Sequence, residues 1–207
     1  MNIDLNKKIK TNWKPSTMIY PVPAAIISCG TTPKEYNLIT IAWIGTICSE
    51  PPMLSISVRP ERYSHGIIKK NKEFVVNLTN KNLLKAADYC GIKSGKKVNK
   101  WNHLNLAPYT STKIKTPQIA NSPLSIECSV KQIISLGSHD MFIAEIESLS
   151  VLNQYIDKKG ALKLSIANLI SYIHGGYYSR SKLEKRLGFS VAKKKKRKNS
   201  YRASTKK

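Results

Sequence analysis

The chain has 207 residues, 41% of them hydrophobic, and a formal net charge of +23. That length suits one domain with a short appendage and suffices for a core that needs neither disulfides nor structural metal. No apolar run reaches membrane-spanning length and no apolar stretch follows Met1-Asn2-Ile3-Asp4, so neither a signal peptide nor a transmembrane segment is expected.

The charge is partly local: nine lysines and arginines and no acid lie between Lys193 and Lys207, and the rest still carries an excess of +14. A basic body favours anionic ligands such as phosphates but does not by itself establish nucleic-acid binding. Cys29, Cys48, Cys90 and Cys128 form no CxxC pair, and the four histidines have no metal-ligand spacing. No metal site is expected, and reduced thiols in a soluble cytoplasmic protein are the simplest reading.

In chain order, residues 1–12 are polar and read as a loose arm. Met18 to Cys29 reads as a strand whose prolines, Pro21 and Pro23, suit its entry. Asn37 to Cys48 reads as one long strand, buried or functionally occupied on both faces. Alternation places Ile39, Ile41 and Trp43 on one face and Thr40, Ala42 and Ile44 on the other. A strand from Met53 to Val58, a turn at Arg59–Arg62, a short helix from Tyr63 to Lys70 and a strand from Glu73 to Leu78 follow. Asn80 to Cys90 reads as a helix capped by Asn80, with Gly91 at a left-handed exit. Ile92 to Thr116 reads as mostly loop. Ser125–Leu136 and Met141–Leu152 read as a long hairpin through Gly137-Ser138-His139-Asp140. A last strand is expected within Ala161–His174 and a short helix at Arg180–Leu187; the tail after Ala192 is too charged to pack. The tally predicts a mainly β fold: a closed or nearly closed, Greek-key-like barrel of six or seven strands with a few short helices.

No G-x-G-x-x-G follows a strand, and Gly91-Ile92-Lys93-Ser94-Gly95-Lys96-Lys97 lacks the spacing and the hydroxyl of a P-loop. The informative segment is Ser57-Val58-Arg59-Pro60-Glu61-Arg62-Tyr63-Ser64-His65. Two arginines between a strand and a helix start can grip a terminal phosphate, with open helix N–H groups and the Ser64 hydroxyl beside them. The competing reading is a solvated turn with an arginine paired to Glu61, and composition alone favours it. In the Asn37–Gly45 strand, the small and polar positions leave room for a flat ring; a plain core strand with Trp43 as packing is the alternative.

Taken together, several short pieces resemble one family. They are Tyr20-Pro21-Val22-Pro23-Ala24 with Ser28-Cys29-Gly30, Asn37-x-x-Thr40-x-Ala42-Trp43-x-Gly45, Pro51-Pro52, and Arg59-Pro60-x-Arg62-Tyr63-Ser64. Then come Phe74-Val75-Val76-Asn77-Leu78, Cys90-Gly91-x-x-Ser94-Gly95-Lys96, Leu136-Gly137-Ser138-His139-Asp140, and the segment opening at Gly176. In order and spacing they resemble the flavin-reductase-like, FMN-binding split-barrel family and its flavoredoxin branch, over roughly Trp13 to Val191. The resemblance implies a homodimeric split barrel with FMN between subunits. It implies that Asn37, Thr40, Ala42 and Trp43 lie along the isoalloxazine and ribityl chain. It implies that Arg59, Arg62, Tyr63 and Ser64 form the phosphate turn, with Asn77 nearby. Asn99-Lys100-Trp101 departs from the family, which tends to have Asp before that lysine.

Three weaker catalytic candidates remain. Cys29 reads either as a redox thiol near the flavin or as a buried structural cysteine. His139 and Asp140 read either as an acid–base pair or as a structural turn. The expected organisation is a loose arm at 1–12, an FMN-binding split-barrel domain at 13–191, and a disordered basic tail at 192–207. The expected activity is transfer of hydride or electrons through FMN, as an oxidoreductase taking them from NAD(P)H. One alternative is a flavoredoxin-type carrier fed by an acidic redox partner, without pyridine nucleotide. A further one is weak nucleic-acid or anionic-surface binding through the tail.

Overall fold

A computed structural model of the chain describes residues 10–179. Most of the expected N-terminal arm, the helix expected at Arg180–Leu187 and the basic tail lie outside these residues.

The strands in chain order are β1 (Val22–Pro23), β2 (Ala25–Cys29), β3 (Asn37–Ile41), β4 (Ile44–Ser49), β5 (Pro52–Val58), β6 (Glu73–Asn77), β7 (Pro108–Tyr109), β8 (Gln118–Ile119), β9 (Leu124–Ser135), β10 (Asp140–Val151), β11 (Ser171–Ile173) and β12 (Gly176–Tyr178). The helices are α1 (Tyr63–Asn71), α2 (Leu84–Ile92), which follows a 3-10 turn at Lys81–Leu83, and α3 (Lys100–His103). Seven strands make one antiparallel sheet in the order β3-β2-β6-β9-β10-β5-β4. Its two edge strands, β3 and β4, are consecutive in the chain, so the sheet curls until its edges meet at the Ala42–Trp43 link. There the Ser57 N–H donates to the Trp43 carbonyl at 3.0 Å.

Residues of β2, β3, β5, β6, β9 and β10 converge with Ile68 of α1 in one interior cluster that holds Phe74, Phe142, Ile27 and Ile56. Each such fully buried side chain contributes about 1.5–3 kcal/mol by leaving water. A second cluster packs α2 and Trp101 of α3 on the outer face of β2 and β3, through Ile26, Leu38, Ala87 and Cys90. A small sheet of β1, β11 and β12 stands beside it.

The expected hairpin is present as β9 and β10, turning at Gly137 with φ +90°, where the Leu136 N–H donates to the His139 carbonyl at 2.9 Å. Three sequence expectations are corrected. Asn37–Cys48 is two strands, because the bend at Ala42–Trp43 resets the alternation: Ile44 packs with Ile39 and Ile41 in the interior, while Trp43 swings out to 44% exposure. Met18–Cys29 likewise divides into β1, which pairs with β11, and β2. Gly91 is no left-handed exit, since α2 continues through it to Ile92 and ends at Lys93 in extended backbone. The expected loop after α2 contains α3, where the Asn99 side chain accepts from the Asn102 N–H at 3.2 Å. The region expected to add one last strand supplies β11, and β12 follows it.

Two buried or part-buried carboxylates organise the segment before β8. Glu127 accepts from the backbone N–H groups of Thr112, Lys113 and Ile114 and from the Gln118 side chain, at 2.7–3.3 Å. Glu73 accepts from the N–H groups of Lys115 and Thr116 at 2.9 and 2.7 Å.

Candidate functional site

The bend that ends β3, the turn that ends β5 and the start of α1 meet at the open seam of the barrel. Two clefts of about 250 and 200 Å³ adjoin there, share Ile39 and Arg62, and form one trough. One half is lined by Thr40, Ala42, Trp43, Ser57, Arg59 and His139. The other is lined by Asn37, Tyr63, Ser64, Lys93, Ser94, Gly95 and Lys100. A larger cleft of about 460 Å³, between β1 and the 164–171 segment, has no titratable side chain in its lining. It holds none of the candidate catalytic or cofactor-binding residues read from the sequence.

The cationic half is built on the α1 start. Arg62 is the N-cap residue and no side chain caps that end, so first-turn N–H groups stay open beside the trough. Ser64 lies one step inside the helix, and its hydroxyl accepts from the Asn37 amide at 2.8 Å. The Arg62 guanidinium donates to the Gly91 carbonyl, which ties the α1 start to the last turn of α2. Lys100 is buried and donates from Nζ to the carbonyls of Leu38 and Cys90 at 2.6 and 3.1 Å. The loop after α2 closes tightly over Asn37: a Cβ on Gly95 would stand 2.0 Å from Asn37 Oδ1, so any larger residue there would displace the Asn37 amide.

The other half is shaped by the Ala42–Trp43 bend. Thr40 is turned away toward α2, donating to the Ala87 carbonyl at 2.5 Å. The exposed Trp43 ring stands 4.5 Å from the His139 ring, tilted by 39°. Burial, with Arg59 nearby, holds His139 below the usual imidazole range despite Glu61. Its Nδ1 is 2.9 Å from the Ser138 hydroxyl. Arg59 is exposed and 3.7 Å from Glu61. That is the surface pair weighed from the sequence, yet Arg59 also lines the trough.

Three candidates lie elsewhere. Asp140 pairs with His65 of α1 at 2.8 Å, and that bond holds its carboxyl below the ordinary range. It therefore forms no acid–base pair with His139. Asn77 is fully buried and donates to the Ile26 carbonyl and the Ser28 hydroxyl at 3.0 Å. Its Oδ1 accepts from the Ile119 N–H at 2.8 Å and from the Ser125 hydroxyl at 2.9 Å. Cys29 is in the barrel interior, where burial pushes its thiol up to about 12; a thiol so held is unreactive.

The sequence reading assigned no site role to Lys93, Ser94, Gly95 or Lys100. The signal available was a lysine-rich, glycine-containing loop after a helix, which had no visible partner until folding set it over Asn37 and Arg62. The assembled trough suits an elongated ligand with an anionic group at the Arg62 end and a flat ring at the Trp43 end.

The flavin reductase like domain matches this chain over residues 17–179. Flavoredoxin of Desulfovibrio vulgaris (Miyazaki F) superimposes with a TM-score of 0.81 at 24% identity, covering 88% of this chain and 99% of that one. Flavoredoxin from Methanosarcina acetivorans gives 0.75 at 26% identity, covering 93% and 98%. An FMN-binding protein from Thermus thermophilus gives 0.69 at 19% identity, covering 84% and 95%. These likenesses establish the split-barrel fold expected from the sequence.

Proposed function

The chain belongs to the flavin reductase like domain family, and from that membership we propose that it binds FMN in the trough and passes hydride or electrons through it. The observation that carries this reading is the convergence on one trough of an uncapped helix start, the Arg62 and Lys100 cations and a half-exposed indole. Arg62, Ser64 and the open N–H groups of α1 would hold the phosphate, with Arg59 and Lys93 as outer cations. Asn37, Thr40, Ala42 and Trp43 line the remainder, where a ribityl chain and a ring would lie.

When bound, FMN supplies two-electron and one-electron redox chemistry that no side chain of this protein offers. The protein's share is to bind, orient and shield. The cations fix the phosphate, the bend at Ala42–Trp43 leaves room for a flat ring, and the Trp43–His139 pair screens the mouth. All four cysteines are free, which suits a reducing cytoplasm. No helix among the described residues is long and apolar enough to cross a membrane.

NAD(P)H is the proposed electron donor. The second reading, an electron carrier fed by an acidic redox protein, is favoured by the likeness to two flavoredoxins and by the basic body. Anaerobic titration of FMN-reconstituted protein separates the two. Bleaching of the flavin absorbance by NADH or NADPH supports the oxidoreductase. Bleaching only by a reduced protein partner supports the carrier. A protein that retains no FMN through gel filtration refutes both.

A further inference from the structure

A separate cleft of about 370 Å³ opens between the β7–β8 pair and the end of β10. It shares no lining residue with the trough. Among the described residues its lining has no charged side chain, although the chain as a whole carries +23. Gln118 of β8 lines it and is 2% exposed. The Gln118 Nε2 donates to Glu127 Oε1 and to Ser150 Oγ, each at 2.9 Å. Backbone N–H groups of Thr112, Lys113 and Ile114 hold the Glu127 carboxylate in turn.

An ionised carboxylate only accepts, so the Gln118 amide must turn its nitrogen toward Glu127 and its oxygen away. That Oε1 accepts no hydrogen bond among the described residues. Nor is it sealed from solvent, since the buried side-chain atoms without a partner there are Asn71 Nδ2 and Trp101 Nε1. Gln118 Oε1 is thus an acceptor locked in orientation and open to the cleft. Ser150 accepts from Gln118, which leaves its own hydroxyl proton free to donate beside that acceptor. The serines deeper in the cleft have no such proton to offer: Ser122 donates to the Leu78 and Leu124 carbonyls and Ser125 to Asn77 Oδ1. Tyr109 stands directly opposite Gln118 in the β7–β8 register, on the same face, and is 58% exposed.

We propose that this cleft binds the uncharged base of a nucleoside, with a base N–H donating to Gln118 Oε1, a neighbouring ring acceptor receiving the Ser150 hydroxyl proton, and the ring face against Tyr109. The inference does not depend on what the trough binds. Three observations select this class of ligand. Without a lining cation, a phosphate or carboxylate would find no counter-charge. With one free acceptor beside one free donor, a polyol would leave most of its hydroxyls unmatched, whereas a base edge presents that same pair. The apolar lining from Ile119, Val151 and Leu152 and the exposed Tyr109 ring suit a flat body. Because Gln118 is fixed beforehand, little side-chain entropy remains to be lost on binding. A ligand without the N–H is rejected, since it would cover the acceptor and leave it unpaired.

The test titrates the full chain with adenosine, with and without excess FMN, and follows the NMR signals of the Gln118 side-chain amide and the Ser150 backbone. Both signals are expected to shift saturably, with a Kd of about 1 mM or tighter, whether or not FMN is present. Purine riboside, which lacks the exocyclic amine, should bind at least about tenfold more weakly. Tyr109→Ala, at an exposed position, should weaken adenosine roughly five- to a hundredfold, the range for a base stacked on an aromatic ring. No saturable shift at Gln118 and Ser150 would overturn the proposal. So would purine riboside binding as well as adenosine, or a Tyr109→Ala variant that binds adenosine unchanged. Shifts at these residues with maltose and not adenosine would overturn it in favour of a sugar site. Adenosine shifts that FMN abolishes would place the nucleoside in the trough and overturn it too.

Discussion

Asparagine occurs twice among the family-matching positions, on strands that flank β2, and the fold uses the two differently. Asn37 turns to the trough, where its amide donates to Ser64 and packs under Gly95. Asn77 turns to the opposite side and links β2, β8 and β9 through buried hydrogen bonds. Arg62 combines both kinds of duty, since it lines the trough and also holds the Gly91 carbonyl. Arg62→Ala is therefore expected to weaken FMN by about 1.5–3 kcal/mol, the scale of a charged hydrogen bond. Riboflavin, which has no phosphate, should lose far less. Parallel calorimetry with the two flavins checks this, and equal losses would leave Arg62 as a strut between α1 and α2.

At the scale of elements, the segment from Thr112 to Thr116 shows how a loop is held without secondary structure of its own. Burial alone would raise the Glu127 carboxyl, but the N–H groups of Thr112, Lys113 and Ile114 and the Thr112 hydroxyl outweigh it and hold the carboxyl below its ordinary value of 4.5. A carboxylate whose pKa is lower in the folded state stabilises the fold fully above the unfolded pKa. That stabilisation is lost as pH falls through the folded value. Acidification below about 4.5 should thus loosen this loop and β8, read as faster amide exchange at Thr112–Ile114. Glu127→Gln should destabilise the neutral protein by about 1.5–3 kcal/mol, because a glutamine NH₂ would face N–H donors. The variant's melting temperature should also fall less steeply than that of the wild type as pH drops below about 4.5.

At the scale of the whole molecule, the barrel is open at one seam, and the site sits in that seam. The edges β3 and β4 are joined only through the bend between them, and the trough beside the bend is shallow. Its most prominent aromatic, Trp43, is left 44% exposed. A second copy of the chain that covered this seam would bury the indole and the ring it is proposed to contact, which is the basis for expecting a homodimer. Light scattering on the FMN-loaded protein should give twice the chain mass. A monomer holding a full equivalent of FMN would show that one chain completes the site alone.

The sequence by itself determined the β-rich class, the long β9–β10 hairpin and the helices α1 and α2. These rest on local causes: alternation, capping by Asn80, and breakers at Pro51, Pro52 and Gly137. It also marked the Arg59–Ser64 turn, because two arginines next to a helix start make a legible pattern. The tertiary structure decided the rest. Whether Trp43 packed inside or stood at the mouth depended on a two-residue bend, which inverts every side chain after it. That Asp140 would choose His65 over His139 depended on α1 docking against the start of β10. Lys100 sits in a lysine-rich loop, and became a buried cation only because α3 folds back under β3 and the end of α2. Each of these outcomes depends on contacts between residues far apart in the chain, which local pattern does not encode.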